Sequence, residues 1–421
     1  MATTRTFSDM LNEYLPNALL KEEFVKRDYL MKKIDKDNSW LGGNLVVPFT
    51  SAGASSVSFG SLTAQTDIAE EQDVRGGVPE HKEVWGSMIF NHRDLMEHGA
   101  ISEQNLLKIL PNQVEDFMDY IKNVVSTNLL NGNHFATLTS DGAADGSIIV
   151  DRPDRFVLKQ KVFVEDDGTV GSSAAGFVQS IDMNTTGSTG TITLDTTRAG
   201  GVDLDLSTFL VANTARVYND GATLAGTNTF SSLRSALLSA ANGGGTSLYG
   251  QTKTSAPYLQ AINILGDDIT EVNIVQKCFD ALTNIRQKGK GRPTDIAMSY
   301  KNFGAVLKAI EASKGSFNVV PESKKASQFG WEEIVIGSVT GGQLKFVGIQ
   351  EADDDVIYYI DWRGLKFYSN GLFQKRRSPD GNQYFEIRNT TGYAYVVDVS
   401  LFGELVVDRP STMGIIHSIS F

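Results

Sequence analysis

The sequence predicts an α+β protein, and three stretches carry that prediction: a long amphipathic helix over 102–131, short strands between Gly- and Asp-rich turns over 151–249, and a strand-dominated end from residue 331. At 421 residues the chain is long enough for two or three compact units, and 41% hydrophobic content supplies their cores. Leu107, Leu110, Val114, Phe117, Ile121 and Val124 recur every three or four residues and stripe the helix on one side. Ser102 is placed to cap it. Pro111 cannot donate to the Leu107 carbonyl and crowds that turn, so a kink or restart is expected there. From Pro111 onward the rod would run roughly 31 Å before Asn131-Gly132-Asn133, which tolerate a left-handed backbone, stop it.

Residues 1–40 mix charge with isolated large apolar groups: Phe7, Met10, Leu11, Tyr14 and Leu15, then Phe24, Val25, Tyr29 and Leu30. That pattern suits short helices broken at Pro16, with too little apolar surface to fold alone, so the arm must lie on its own body or on a neighbour. β-prone runs at 45–50 and 82–90 flank about thirty residues rich in Gly, Ser, Thr and Ala, which predict a long two-stranded projection. A lone ribbon is marginal in water, so Phe59, Leu62, Ile68 and Val74 call for a partner surface.

Strands at 156–164, 177–183, 191–195 and 215–218 have the spacing of a small sandwich or barrel, bordered by Gly243-Gly244-Gly245. An α/β segment follows. Val272, Val275, Phe279, Leu282 and Ile285 stripe one helix; 295–298 is a strand; Val306, Leu307 and Ile310 stripe a second helix ended by Gly315. Further strands are expected at 334–336, 343–349, 356–361, 365–368, 384–389, 393–399 and 404–408, with a turn at Ser378-Pro379-Asp380-Gly381.

Lys and Arg total 38 against 50 Asp and Glu, a net charge of −12, which argues against a dedicated nucleic-acid binder but not against a container whose wall must avoid sticking to DNA. The single cysteine, Cys278, sits at helical spacing beside Phe279 and reads as a small buried hydrophobe. The first residues lack an apolar run of signal-peptide length and no stretch of eighteen uncharged apolar residues occurs, so a cytosolic, non-membrane protein is expected.

His81, His92, His98, His134 and His417 form no HExxH pattern, and no nucleophile elbow, phosphate-binding P-loop or dinucleotide fingerprint is present. Asp353-Asp354-Asp355 lacks the ligand spacing of a calcium loop and reads as a solvated hairpin tip. Arg286, Lys288, Lys290 and Arg292 either form a charged contact loop that binds phosphate or offset the negative end of a helix C-terminus. Lys375, Arg376 and Arg377 form either a charged contact loop or an exposed, protected edge. No catalytic residue, metal or cofactor is expected; the chain reads as a protein of assembly rather than turnover.

Ile101-Ser102-Glu103-Gln104-Asn105-Leu106-Leu107, followed by Pro111 and the stripe ending at Leu130-Asn131-Gly132, resembles the approach to the spine helix in major capsid proteins of tailed double-stranded-DNA bacteriophages, a fold shared with encapsulins and the herpesvirus capsid floor. Met298-Ser299-Tyr300 before a helix resembles a strand-to-helix passage of that family. Residues 356–362 and Phe402-Gly403-Glu404-Leu405-Val406-Val407-Asp408-Arg409-Pro410 resemble its closing strands.

The resemblance implies an N-terminal arm over 1–43, an extended loop over 44–98, a peripheral domain with the spine helix over 99–150, an axial domain over 250–378 and closing strands over 379–421; the β domain over 151–249 is an insertion that departs from it and that many members lack. It also implies copies of the chain joined in pentamers and hexamers into an icosahedral virion shell built in the host cytoplasm. The expected partners are a separate scaffolding protein, a portal, a decoration protein and double-stranded DNA held without sequence specificity. Phe7, Leu11, Tyr14, Phe59, Leu62, Ile68 and Val74 are the candidate contacts between copies. A protein-filled encapsulin shell is the near alternative. A carbohydrate-binding or hydrolytic surface protein is the alternative from another class, suggested by the β-rich insert.

Overall fold

The computed structural model describes residues 7–40, 45–50, 73–78, 82–97, 100–101, 103–132, 134–165, 173–183, 189–209, 215–219, 229–255, 257–289, 291–312, 333–337, 343–389 and 392–421. The order of elements opens with α1 (Phe7–Tyr14), α2 (Asn17–Arg27), α3 (Tyr29–Lys33), β1 (Asp35–Asp37), β2 (Leu45–Thr50), β3 (Asp73–Val78), β4 (Lys82–Asn91), α4 (His92–Leu95), β5 (Met96–Glu97), β6 (Ala100–Ile101) and α5 (Glu103–Asn131). Next come β7 (His134–Thr137), β8 (Ser147–Val150), β9 (Lys161–Glu165), β10 (Ser173–Met183), β11 (Gly190–Asp195), β12 (Arg216–Asn219), α6 (Leu233–Leu237), β13 (Ser247–Leu248) and β14 (Gln251–Thr252). The remainder is β15 (Ile262–Leu265), α7 (Ile274–Lys288), β16 (Asp295–Met298), α8 (Tyr300–Ala312), β17 (Glu333–Gly337), β18 (Gln343–Gly348), β19 (Ile357–Ile360), β20 (Leu365–Tyr368), β21 (Phe373–Lys375), β22 (Phe385–Asn389), β23 (Gly392–Val407) and β24 (Gly414–His417).

Two compact units share these elements: one from Met1–Lys32, Lys82–Phe230 and Ser369–Gly403, the other from Lys33–His81, Ser231–Tyr368 and Glu404–Phe421. The class is mixed α+β.

In the first unit, α5 is one 29-residue helix that continues through Pro111, so the expected restart does not occur. A proline near the first turns removes a single backbone bond, and packing on β4 and α2 outweighs it. Ser102 lies outside the described residues. The inward residue of the first turns is the buried Leu106, while Leu107 is 42% exposed, a shift of the stripe by one position. Every residue from Val124 to Asn131 is buried, because α5 has β4 and α2 along its length and β7 at its end. Gly132, at φ 111°, closes the helix as its sequence predicts.

Strand β23 carries β4 on one edge and β21 and β22 on the other. The inner face of this sheet meets α5 so closely that a Cβ on Gly86 would lie 2.8 Å from the Phe117 ring, which explains a glycine in mid-strand. Asp28 is buried between α2 and α3, where it accepts from the Met31 amide at 3.0 Å and from the Ser126 hydroxyl of α5.

Directly after α5 the chain enters a six-stranded antiparallel sheet in the order β7-β12-β9-β10-β11-β8. It closes on itself: Leu138 bridges Val150, Thr139 N–H donates to the Ile149 carbonyl at 2.8 Å, and Asp151 N–H donates to the Thr137 carbonyl at 3.1 Å. The result is a small barrel filled by Phe135, Ile148, Val162, Val164, Val178, Ile192, Leu194 and Val217. Two of its strands precede residue 151, the expected start of the insert; β7 and β8 are too short to stand out from their turns in sequence. Arg155, fully buried, donates to the Phe135 carbonyl at 2.8 Å, and its own carbonyl accepts from Asn123 of α5 at 3.0 Å, so barrel and helix are joined by polar bonds as well as packing.

In the second unit, α7 and α8 pack on a mixed sheet ordered β15-β24-β19-β16-β18-β17. Cys278 is wholly buried there, as expected, and the Tyr359 hydroxyl donates to its carbonyl at 3.0 Å. Burial pushes the Cys278 thiol up to about 12. Ser231–Tyr368, including Gly243-Gly244-Gly245, belongs to this unit. Lys253 is buried below α6 and donates to the Ser235 and Leu238 carbonyls at 2.6 and 2.9 Å, satisfying acceptors that the short helix leaves open.

Candidate assembly surfaces

Opposed residues of an antiparallel pair share a face, so the registers Trp85↔Ser400, Ile89↔Val396, Phe385↔Val396 and Ile387↔Ala394 place Trp85, Ile89, Phe385 and Ile387 together on the outer face of the first unit's sheet. Trp85 is 60%, Ile89 43% and Ile387 46% exposed, with Phe385 and Phe402 half-buried beside them. Between them Ser87 donates to Asp398 at 2.5 Å, which fixes the two strands in register. Isolated surface apolar groups are ordinary, but three large ones on one sheet face form a patch of the kind that marks association. The sequence does carry a signal for it. Val84, Gly86, Met88 and Phe90 already supply the inner face of β4, and a half-buried strand should then alternate with polar residues, a rule Trp85 and Ile89 break.

The arm departs from expectation. Phe7 and Leu11, expected between copies, are 2% and 0% exposed within the single chain, and Tyr14 is half-buried. Phe7 stacks on Tyr395 at 4.7 Å and meets Tyr384 and Phe90 edge-on at 5.1 and 5.9 Å, while Phe24 of α2 packs edge-on against Phe373. The arm is short of apolar surface for a core of its own, but the sheet's inner face completes it. The expected ribbon has paired bases, β2 with β3 from Leu45↔Val78 to Thr50↔Asp73. Val74 stands opposite Phe49 in that ladder; Phe59, Leu62 and Ile68 lie outside the described residues.

The charged candidates separate. Lys288, the last residue of α7, and Arg292, beyond it, are exposed, Arg286 is half-buried, and Lys290 lies outside the described residues. The glycines among them serve close packing: a Cβ on Gly289 would strike the Ser411 carbonyl, and one on Gly291 the Thr412 carbonyl. Gly291→Ala therefore forces backbone apart and is expected to destabilise the second unit by roughly 1–3 kcal/mol. Urea unfolding followed by Cys278 reactivity reads it, and an unchanged midpoint would refute the contact. Arg376 and Arg377 are exposed, but Lys375 is buried, its Nζ donating to the Leu11 carbonyl and to Gln383 Oε1, each at 3.3 Å, so it is no part of a charged contact loop.

The acidic run is not the solvated tip expected. Arg234 of α6 donates to Asp353 at 3.0 Å and to both oxygens of Asp355 at 3.0 and 2.6 Å, with Asp353 buried. Burial disfavours the guanidinium's charge, yet Asp355, Tyr358 and Asp353 outweigh it and its pKa is raised. His417 is buried nearby, and that burial, with the field of Arg234, holds it below the usual histidine range. No group of three or more His, Cys, Asp or Glu is arranged to hold a metal among the described residues, and no helix among them is long and apolar enough to cross a membrane.

No protein-family model matches the chain, and no curated protein sequence does. Solved structures similar to it include capsids and shells. It is similar to a capsid chain of cyanophage A-1(L), at TM-score 0.46 and 12% identity over 93% of this chain and 92% of that one. It is similar to the capsid of a native GTA particle at TM-score 0.45 and 10% identity, over 93% and 90%. The encapsulin of Synechococcus elongatus matches at TM-score 0.37 and 7% identity, over 100% and 92%. These neighbours are of the class that the sequence resembles.

Proposed function

We propose that the chain is a structural subunit that associates with copies of itself, through pentamers and hexamers, into a closed icosahedral shell around double-stranded DNA. The observation that carries this reading is the outer sheet face of the first unit, where Trp85, Ile89 and Ile387 stand exposed on a rigid scaffold. Repeated around a symmetric array, one such patch closes many contacts at once, so each can be modest. The sequence motifs around α5 support the same reading, with α5 as spine helix, the first unit carrying the peripheral domain and the α7/α8 sheet the axial one. The net charge of −12 suits an inner wall along which DNA packs without being gripped. The virion, assembled in a host cytoplasm with a scaffolding protein, portal and decoration protein, is the setting this function implies.

Negative-stain microscopy of the purified full chain tests it. Closed particles of uniform size that protect DNA from nuclease are the expected result. Particles filled with protein instead would move the reading to an encapsulin-like compartment, and a monomer at every concentration would end it.

A further inference from the structure

Between β13 and β14 the chain reverses on two residues, Tyr249 and Gly250, whose φ angles are 50° and 79°. Both lie in the left-handed region that a two-residue hairpin turn of this kind demands, and Asn, Asp or Gly is the usual first residue of such a turn. A bulky aromatic side chain there is strained, and strain of this sort persists where the surrounding structure makes use of the residue.

The side chain shows that use. Val407 N–H donates to the Tyr249 hydroxyl at 2.8 Å, and the hydroxyl donates to the Leu405 carbonyl at 3.2 Å. Strand β20 pairs with this stretch of β23 from Leu365↔Val407 to Tyr368↔Glu404, so one phenol takes the alternate backbone donor and acceptor that a further strand would have taken. Burial, with the Glu404 and Asp408 carboxylates nearby, holds the phenol well above the usual tyrosine range, and the hydroxyl keeps the proton it donates.

The backbone of the same residue reaches the root of the expected ribbon. Gly77 N–H of β3 donates to the Tyr249 carbonyl at 3.0 Å. Val47 and Val78 are buried and attach the β2–β3 pair by packing, but apolar contact has no direction, whereas a hydrogen bond does. β3, Tyr249 and residues 404–407 of β23 all belong to the second unit.

We propose that Tyr249 is a positioning residue, a two-ended clamp that fixes the angle of the β2–β3 pair on the second unit, with its hydroxyl seated on β23 and its carbonyl on Gly77. The clamp lies within one chain and does not rest on the assembly reading above.

The test measures that angle in the full chain. Val46 on β2 and Val272 in the loop before α7 are 55% and 85% exposed, and Cys278 is buried and does not label. Spin labels on Val46→Cys and Val272→Cys, in chains diluted with unlabelled ones, should report one narrow distance. Tyr249→Phe removes only the hydroxyl, and Tyr249→Asn installs a residue that the turn prefers. Both should broaden the distance and speed hydrogen exchange at the Val407 and Gly77 amides by about tenfold or more, with the amides of α7 and α8 unchanged.

Gly77→Pro cuts the other end. A Cβ at that position meets nothing within 4 Å, so the variant loses the donor without a clash at Cβ. The distance should broaden while Val407 stays as protected as before, and Gly77→Ala, which keeps the donor, should leave the distance narrow. Should Tyr249→Phe fail to fold, Gly77→Pro decides alone. A narrow distance in Tyr249→Asn assigns the residue to the turn and overturns the clamp, as does a narrow distance in Gly77→Pro. Loss of the shell reading would leave the clamp standing, because labelled monomer and labelled particle report the same distance within a chain.

Discussion

Trp85→Asp with Ile89→Asp leaves the single chain folded and abolishes particles. Both side chains point away from the core, so the barrel, α5 and the inner sheet face lose no contact, and solubility should rise. At an interface, however, a buried Trp is typically worth about 2 kcal/mol or more, and an unpaired carboxylate placed there adds a desolvation cost of similar size. Because each copy in a closed array presents the same patch, the loss recurs at every contact. Size-exclusion chromatography should give monomer or small oligomer, microscopy no shells, and urea unfolding an unchanged midpoint. Wild-type particles from this variant would remove the patch from assembly.

The second large effect is Arg234→Met. It strips the cation from buried Asp353 and from Asp355 and is expected to cost about 3–5 kcal/mol of the second unit's stability, the range for a broken buried pair. The triple variant Arg234→Met, Asp353→Asn, Asp355→Asn should recover most of that, because no bare charge is left. A triple variant as unstable as the single one would assign the loss to packing alone.

Much of the architecture was legible because it is local. The stripe of α5, the striped α7 and α8, the Gly132 stop and the 378–381 turn each arise from neighbours in sequence; in that turn Gly381, at φ 83°, donates to the Ser378 carbonyl at 2.9 Å. What escaped depends on partners far along the chain. Leu106 rather than Leu107 faces inward because β4 and α2 set the rotation of the helix. Asp353 and Asp355 read as solvent-facing until Arg234, more than a hundred residues earlier, is folded onto them. Lys375 sits in a run of cations but on the inward side of a strand. The arm, for which the sequence offers its own body or a neighbour as partner, packs on its own sheet. Within the candidate surface, Trp85 and Ile89 were readable as a broken alternation; Ile387 was not, since its place beside them is fixed only by the register of β22 on β23.

The closed barrel has a practical corollary. With Leu138 joined to Val150 its backbone ladder has no loose margin among the described residues, which offer nothing for a passing strand to extend. Its Thr196, Thr197, Arg198 and Ala199 corner is exposed, while Asp195 grips the Gly201 amide at 2.7 Å and holds the base of the bend. A foreign epitope spliced between Arg198 and Ala199 would be displayed on a self-contained pedestal, leaving the hydrogen-bonded seams of the molecule untouched.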